Sequence, residues 1–455
     1  MPKVGQTLPI VEEDTDNGYS YFMDTEPREY LGPIRMEQDG IFGRKVKVRT
    51  AKIGMVRNAS AVNRKEVKVF LEPYPHIRID GAKPLQGWYR SKHEDKSGRP
   101  RTCYTEALLT SPYMGCCPNS CLFCYVNAGG RGYRNTGLVV VPMNYGDQIR
   151  KQLTKIMRGS AGYITSFHDP FNIMEGIYHN SQECAKAFTE VGLPIFFLSR
   201  LRYPDWAIDA LTQNKYSYAQ KSINTPDPDD WHKLSPRVPP LDKQFEDIRR
   251  LKAKGVYVSI QVNSIIPGVT SNEQIIELFR LLADAGTDHV ITKFVECAYA
   301  WAPAMIEKMI ENFGERGKKF AALLNQNIGG ERTIDENYRM AAHKLFRAEA
   351  TRLGMTYSVC FEFKWDRNVD GSVKNKTGIS IGPEFTTSAQ CHGQRVPVYT
   401  RASAEDVFHP IKMCPPSGCL YCADNNGGVP KCGDRIAGNA LALRMPQLRL
   451  PILRK

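Results

Sequence analysis

The sequence predicts an α/β fold: a partial (β/α)6 barrel of the TIM type, with a basic strand-rich N-terminal extension and a Cys-rich C-terminal module. Three observations lead there. Between residues 101 and 365, β-rich apolar runs alternate with amphipathic stretches, the pattern of parallel strands joined by crossover helices. Ahead of residue 101 the chain is strongly basic and alternates at strand period. After residue 365 it turns Gly-rich and irregular, and four of its last five cysteines fall within 19 residues.

Residues 1–30 are acidic and weakly periodic, which predicts a flexible head. Residues 31–100 form the extension. Residues 28–101 carry 18 Lys or Arg against 8 Asp or Glu, a net of +10, so most of the chain's formal charge of +13 lies there. Arg44, Lys45, Lys47 and Arg49 surround Val46 and Val48, a spacing that gathers cations on one strand face. With Tyr74, Trp88 and Tyr89 nearby, such a face suits a nucleic acid backbone and unstacked bases, or else is an ordinary solvated strand.

Residues 101–365 form the predicted barrel. A first strand ends just before Cys117, and others are expected at 162–167, 193–198, 217–223, 257–263, 289–294 and 356–361. Helices are expected at 148–158, 184–191, 242–254, 272–284, 303–313 and 336–353. These make about six β/α units, fewer than the eight of a closed barrel, and leave a side mouth for a large substrate. Residues 366–455 form the C-terminal module. No apolar run is long enough to span a bilayer and the N-terminus lacks a signal-peptide layout, so no membrane partner and a cytoplasmic location are expected. Thirteen cysteines, mostly in two tight groups, read in a reducing compartment as metal binding rather than a disulfide framework.

Cys117, Cys121 and Cys124 form C-x3-C-x2-C. Three thiolates fill three corners of an iron-sulfur cube and leave one iron open to a small molecule, whereas electron carriers and structural zinc sites close the fourth position. A zinc knuckle completed by Cys116 or Cys103 is the competing reading. Cys414, Cys419, Cys422 and Cys432 form a complete set, C-x4-C-x2-C-x9-C, suited to a second [4Fe-4S] cluster or to Zn, with Cys391 as a substitute ligand.

The triad, with Phe123 and Tyr125 beside its third cysteine, resembles the radical S-adenosylmethionine (SAM) superfamily. The barrel resembles its spore photoproduct lyase and DNA-repair-photolyase-like branch across about residues 110–300. The resemblance runs in order through Ser111-Pro112-Tyr113-Met114-Gly115-Cys116, Asp169-Pro170-Phe171-Asn172-Ile173-Met174-Glu175, Ser222-Ile223-Asn224, Pro240-Leu241-Asp242-Lys243 and Ile265-Ile266-Pro267-Gly268. It implies a [4Fe-4S] cluster on Cys117, Cys121 and Cys124, with SAM on the open iron as the source of a 5'-deoxyadenosyl radical. It implies that Asp169 and Glu175 accept hydrogen bonds from SAM, that Ser222 and Asn224 reach its carboxylate or ribose, and that Phe123 shields the cluster.

Ser166 stands where spore photoproduct lyases place a hydrogen-donating cysteine, and a hydroxyl is a much poorer hydrogen-atom donor. Ser199-Arg200 replaces the family's Thr-Lys, and Ser235-Pro236-Arg237 its Glu-Pro-Gly. Both changes place an Arg at the expected pocket, to hold a carboxylate or phosphate or else to pair with Asp205 or Asp209. Tyr125, Cys297, Tyr299 and Cys360 are candidate hydrogen donors or radical relays, and Cys184 reads as a buried helix residue.

The expected function is radical modification of a nucleic acid base, most plausibly a DNA pyrimidine. Hypermodification or isomerisation, as in phage thymine modification, fits better than photoproduct repair. The expected electron donor is a flavodoxin or ferredoxin. Modification of a peptide or small metabolite, and a non-catalytic metal-stapled nucleic-acid-binding protein, are the other classes.

Overall fold

The computed structural model describes residues 28–57, 61–80, 85–87, 107–124, 137–154, 158–165, 168–299, 301–328, 330–360, 362–388, 391–394, 396–397, 399–401 and 404–410. The acidic head up to residue 27, Trp88, Tyr89, Tyr125, Ser166 and the cysteines Cys414, Cys419, Cys422 and Cys432 lie outside them.

Seven parallel strands form the central sheet: β1 (Ala107–Thr110), β2 (Ala161–Ile164), β3 (Ile195–Ser199), β4 (Tyr218–Ser222), β5 (Tyr257–Ile265), β6 (His289–Phe294) and β7 (Thr356–Val359). Each pairs with the next in sequence, and a short antiparallel strand, Leu85–Gly87, pairs with β1 at the edge. One face, carrying Leu108, Phe197, Val258, Ile260 and Val290, shares a single core with Phe188, Ile208, Leu251, Phe279 and Phe346 of five crossover helices. Those helices therefore all lie on one side.

Six of the predicted strands agree with the observed ones to within about three residues, and the 289–294 strand and the 272–284 helix have the expected bounds; the first strand instead ends at Thr110, and Met114–Gly115, just before Cys117, belongs to the other sheet. Ser271 and Gln274 cap the latter reciprocally. The first helix is displaced: it runs Tyr145–Leu153 rather than 148–158, because Tyr145, Ile149 and Leu153 form its buried stripe. Among the described residues five helices escaped the periodicity, Glu175–Tyr178, Asp205–Thr212, Pro228–Leu234, Glu315–Leu323 and Gly382–Phe385, each too short to repeat an apolar pattern.

The opposite sheet face is closed at the strands' N-terminal ends. Tyr163, Phe196 and Tyr218 stack at 4.3 and 4.4 Å, and His392 donates to or accepts from the Tyr218 hydroxyl at 2.8 Å. The Cys391 carbonyl accepts from Ser358 and faces His289 Nε2 at 2.9 Å. Gly393 has φ +86°, and a Cβ there would lie 2.4 Å from the Tyr257 hydroxyl. Cys391–Gly393 thus caps the ends of β4 to β7.

The extension is strand-rich as expected. Arg28–Asp39, Arg44–Arg57 and Ala61–Phe70 make an antiparallel meander that continues through His76–Ile79, Val139–Pro142 and Met114–Gly115, ending beside Cys116. Val46 and Val48 are buried, which turns Lys45, Lys47 and Arg49 to the other face. Arg44 lies outside that row and pairs with Glu72. Tyr74 differs from expectation: it is buried against Tyr113, Val139 and Met174, and offers no ring to a base.

The meander is bolted to the central domain. Arg78 grips Asp39 through two hydrogen bonds and donates to the Tyr178 hydroxyl, which also meets His76 Nε2 at 2.6 Å. Burial pushes His76 down to about 4, so it is neutral at physiological pH.

Gly268, at the exit of β5, has φ +94°, and a Cβ would approach the Phe320 nitrogen to 2.5 Å. Gly268→Ala is expected to cost about 3 kcal/mol, read as a lower denaturant midpoint with an unchanged slope.

Candidate active site

The loop from Cys116 to Cys124 follows directly from the outer sheet. Cys116 bonds through its nitrogen to Leu138 O, and its fully buried side chain joins the apolar cluster of Tyr74, Tyr113 and Met174. The chain then brings Cys117 near enough to Cys121 and Cys124 for their charges to interact. Ser120 takes a positive φ of 53°, and the Cys124 nitrogen donates to Cys121 O at 3.1 Å. Burial, reinforced by repulsion from Cys124, Asp169 and Cys121, pushes the Cys117 thiol up. Among the described residues no three Cys, His, Asp or Glu side chains converge on a single point as ligands of one ion would. Ligands of a cube sit on three different irons and stand further apart. Three cysteines on one loop, near enough for their charges to interact, are the donor set that a cluster with one open iron would use.

Two segments hold this loop. The helix Pro228–Leu234, started by the Asp227 side chain and Pro228, presents Leu234 O to the Leu122 nitrogen. Ser235 follows, and its hydroxyl lies 3.4 Å from the Cys121 sulfur. The second anchor is Asp169. One carboxylate oxygen accepts from Ser199 Oγ at 2.8 Å and the Phe171 nitrogen at 3.0 Å. The other accepts from the Arg200 nitrogen at 2.9 Å and Asn119 Nδ2 at 3.1 Å. Asp169 thus joins the cluster loop to the end of β3, and its acceptor capacity is used within the protein.

Glu175 is likewise engaged internally. Its carboxylate accepts from the Tyr113 hydroxyl at 2.5 Å and from the Ser181 and Gln182 nitrogens, both at 2.9 Å, and so caps the helix Asn180–Glu190. Burial outweighs these donors and raises its pKa to about 7.

Arg200 crosses from β3 toward β5. Its guanidinium lies 4.7 Å from the Phe123 ring centre and 5.6 Å from that of Trp231, and donates to Asn263 O at 2.8 Å and Asn224 Oδ1 at 3.4 Å. Burial pulls it below the ordinary arginine value, while Cys121, Cys124 and Asp169 oppose that shift. It does not pair with Asp205, which is held by Arg250 at 2.5 Å. Ser222 Oγ also reaches Asn263 O, at 3.4 Å, and Asn224 Nδ2 donates to Ser264 O at 3.1 Å. The structure therefore brings together Cys117, Cys121, Cys124, Phe123, Asp169, Ser199, Arg200, Ser222 and Asn224. Arg237 is exposed.

Cys297 is buried in the apolar cluster that contains Phe123, and burial pushes its thiol up to about 12. Tyr299 is 42% exposed, with its ring near Arg332, away from this group. Cys360 extends the ladder of β7, its nitrogen donating to Thr292 O. Cys184 is buried in its helix as expected. Asn119, Asn263 and Ser264 were missed, having no motif of their own. The Asp227-Pro228 start signal could have located the helix that holds Cys121.

A protein of Pseudomonas phage M6, "Radical SAM Nalpha-GlyT isomerase", is 52% identical over 447 residues, which span 96% of this chain and 92% of that protein. The chain belongs to the radical SAM enzymes. The non-catalytic reading falls with that relationship. An uncharacterised protein of Acidianus two-tailed virus is 26% identical over 236 residues, covering 46% of this enzyme and 77% of its own length. Among solved structures, a spore photoproduct lyase complexed with dinucleoside spore photoproduct aligns at TM-score 0.45 and 16% identity, covering 62% of this enzyme and 81% of that chain. Streptococcus suis SuiB bound to S-adenosylmethionine aligns at 0.38 and 15%, covering 56% and 51%. No protein-family profile matches this radical SAM enzyme.

Asp169→Ala is expected to orphan four donors, destabilise the fold by about 3 kcal/mol and lower the iron taken up on anaerobic reconstitution. Glu175 makes a second test. Its folded-state pKa of about 7 exceeds the ordinary 4.5, so its contribution is fully present below pH 4.5 and is lost as pH rises through 7. Relative to Glu175→Gln, wild-type stability should fall over that interval by an amount on the order of 3 kcal/mol, measured by denaturant titration at each pH.

Proposed function

We propose that this enzyme is a radical SAM isomerase acting on a DNA pyrimidine that carries a glycyl group joined through its nitrogen. The observation that carries the reading is the near full-length identity to the phage protein named for Nα-GlyT isomerisation. We read that T as a thymine-type base, in keeping with the basic extension. A [4Fe-4S] cluster on Cys117, Cys121 and Cys124, with SAM on its open iron, would supply a 5'-deoxyadenosyl radical. Ser235 and Phe123 flank the cluster thiols. Asp169 positions the loop rather than touching SAM. Arg200, Ser222 and Asn224 line the ends of β3 to β5, where SAM's carboxylate and ribose would lie.

Sequential strand order with helices on one side supports a partial barrel, and the capped N-terminal ends leave the strands' C-terminal ends as the working face. An isomerisation needs no external hydrogen donor once the abstracted atom is returned, which accords with Ser166 at the position of a family thiol. Cys297, kept protonated by burial, is the remaining nearby thiol, and Tyr125 and Tyr299 are assigned no step. Cys414, Cys419, Cys422 and Cys432 would hold a second [4Fe-4S] cluster or Zn. The setting is a host cytoplasm, with flavodoxin or ferredoxin as reductant. Among the described residues no helix is long and apolar enough to cross a membrane.

A glycyl-threonine peptide also fits the relative's name. Oligonucleotide binding separates the two: affinity for DNA should drop steeply between 50 and 200 mM salt, by about a hundredfold or more if several phosphates are contacted. Salt-insensitive binding would favour the peptide. Cys121→Ala is expected to abolish 5'-deoxyadenosine formation, followed by mass spectrometry.

A further inference from the structure

The ion pair of Lys293 with Glu296, which also lies near the buried Arg339, takes no part in the chemistry above. On β6, Val290 and Phe294 join the helix-side core, and Thr292 bonds to Tyr357 and His343 on that same side. Alternation turns His289, Ile291 and Lys293 to the opposite face. His289 lies under the Cys391 cap, so Lys293 stands at the C-terminal end of that face. The register sets Lys293 directly beside Asn263 and sets Gln261 beside Ser222. Asn263 is the residue whose carbonyl takes Arg200 and Ser222, so Lys293 lies one strand from the SAM-side group.

The Lys293 ammonium meets Glu296 at 2.8 Å, with side chains 16% and 12% exposed. A pair so far removed from water adds little net stability over apolar replacements of the same volume. Lys221 and Asp247 pair the same two groups on the helix side of the sheet, so the inner-face position is what sets Lys293 and Glu296 apart: there an ammonium beside a carboxylate is the complement of an amino acid's carboxylate and amine.

We propose that Lys293 and Glu296 form the subsite for the substrate's amino-acid group, Lys293 holding its carboxylate and Glu296 its amine nitrogen. The inference rests on the glycyl-substrate reading above. It places the reacting glycyl carbon on the β5–β6 side of the inner face, across from the cluster loop.

The test compares two oligonucleotides, one with an N-glycyl thymine-type base and one with the glycyl carboxylate replaced by a carboxamide. Wild-type enzyme should prefer the carboxylate by about tenfold in KM. Lys293→Met should erase the preference and Lys293→Arg should keep it, with iron content and circular dichroism verifying that both variants fold. A Lys293→Met enzyme that retains the wild-type preference, or a wild-type enzyme without one, overturns the subsite while leaving the isomerase reading intact. Wild-type enzyme that cleaves SAM yet turns over neither oligonucleotide overturns the substrate reading, and the subsite with it.

Discussion

Much of the site depends on a single carboxylate. Asp169 collects donors from its own turn, from the cluster loop through Asn119, and from the end of β3 through Ser199 and the Arg200 backbone. Hydrogen bonds to an ionised acceptor are stronger than neutral ones, and four of them around one group leave it little freedom. The position of the cysteine loop is thereby referred to a rigid strand rather than to neighbouring loops. Arg200 inherits the same frame: with its backbone fixed by Asp169, its guanidinium reaches across β4 to Asn263.

The outer sheet extends this frame in the other direction. Met114–Gly115 is its last strand and delivers the chain into Cys116, whose side chain packs with Tyr74, Tyr113 and Met174, so Cys117 is the first thiol of the loop near Cys121 and Cys124. At the far end, His76 and Arg78, the latter held by Asp39, clasp Tyr178, in the short helix that begins at Glu175. The extension is therefore a wall built against the site's floor, and Glu175 in turn ties that floor to Tyr113. A cationic strand face held this way presents Lys45, Lys47 and Arg49 in a fixed row.

The parallel strands were legible because β-branched and aromatic runs alternate with long helices over enough residues for both periods to register. The three cluster cysteines were legible because their spacing has few other uses. What could not be read was where side chains spend their hydrogen bonds. Asp169 and Glu175 look like ligands in a motif, yet both satisfy backbone donors that only the folded chain brings near. Tyr74 shows the same limit: an aromatic near a cationic strand in sequence can be sealed in a core. The helix carrying Leu234 was too short for periodicity, although its start signal was present.

The cap formed by Cys391–Gly393 has a bearing on how the enzyme is made. Tyr218 and His392 are 174 positions apart, and the rings of Tyr163, Phe196 and Tyr218 are covered only when the later segment arrives. During synthesis the strands can pair in order as they emerge, but the aromatic floor stays wet until Cys391–Gly393 has been made and reaches it. A chain halted before residue 391 would leave the rings of Tyr163, Phe196 and Tyr218 without the His392 contact that covers them.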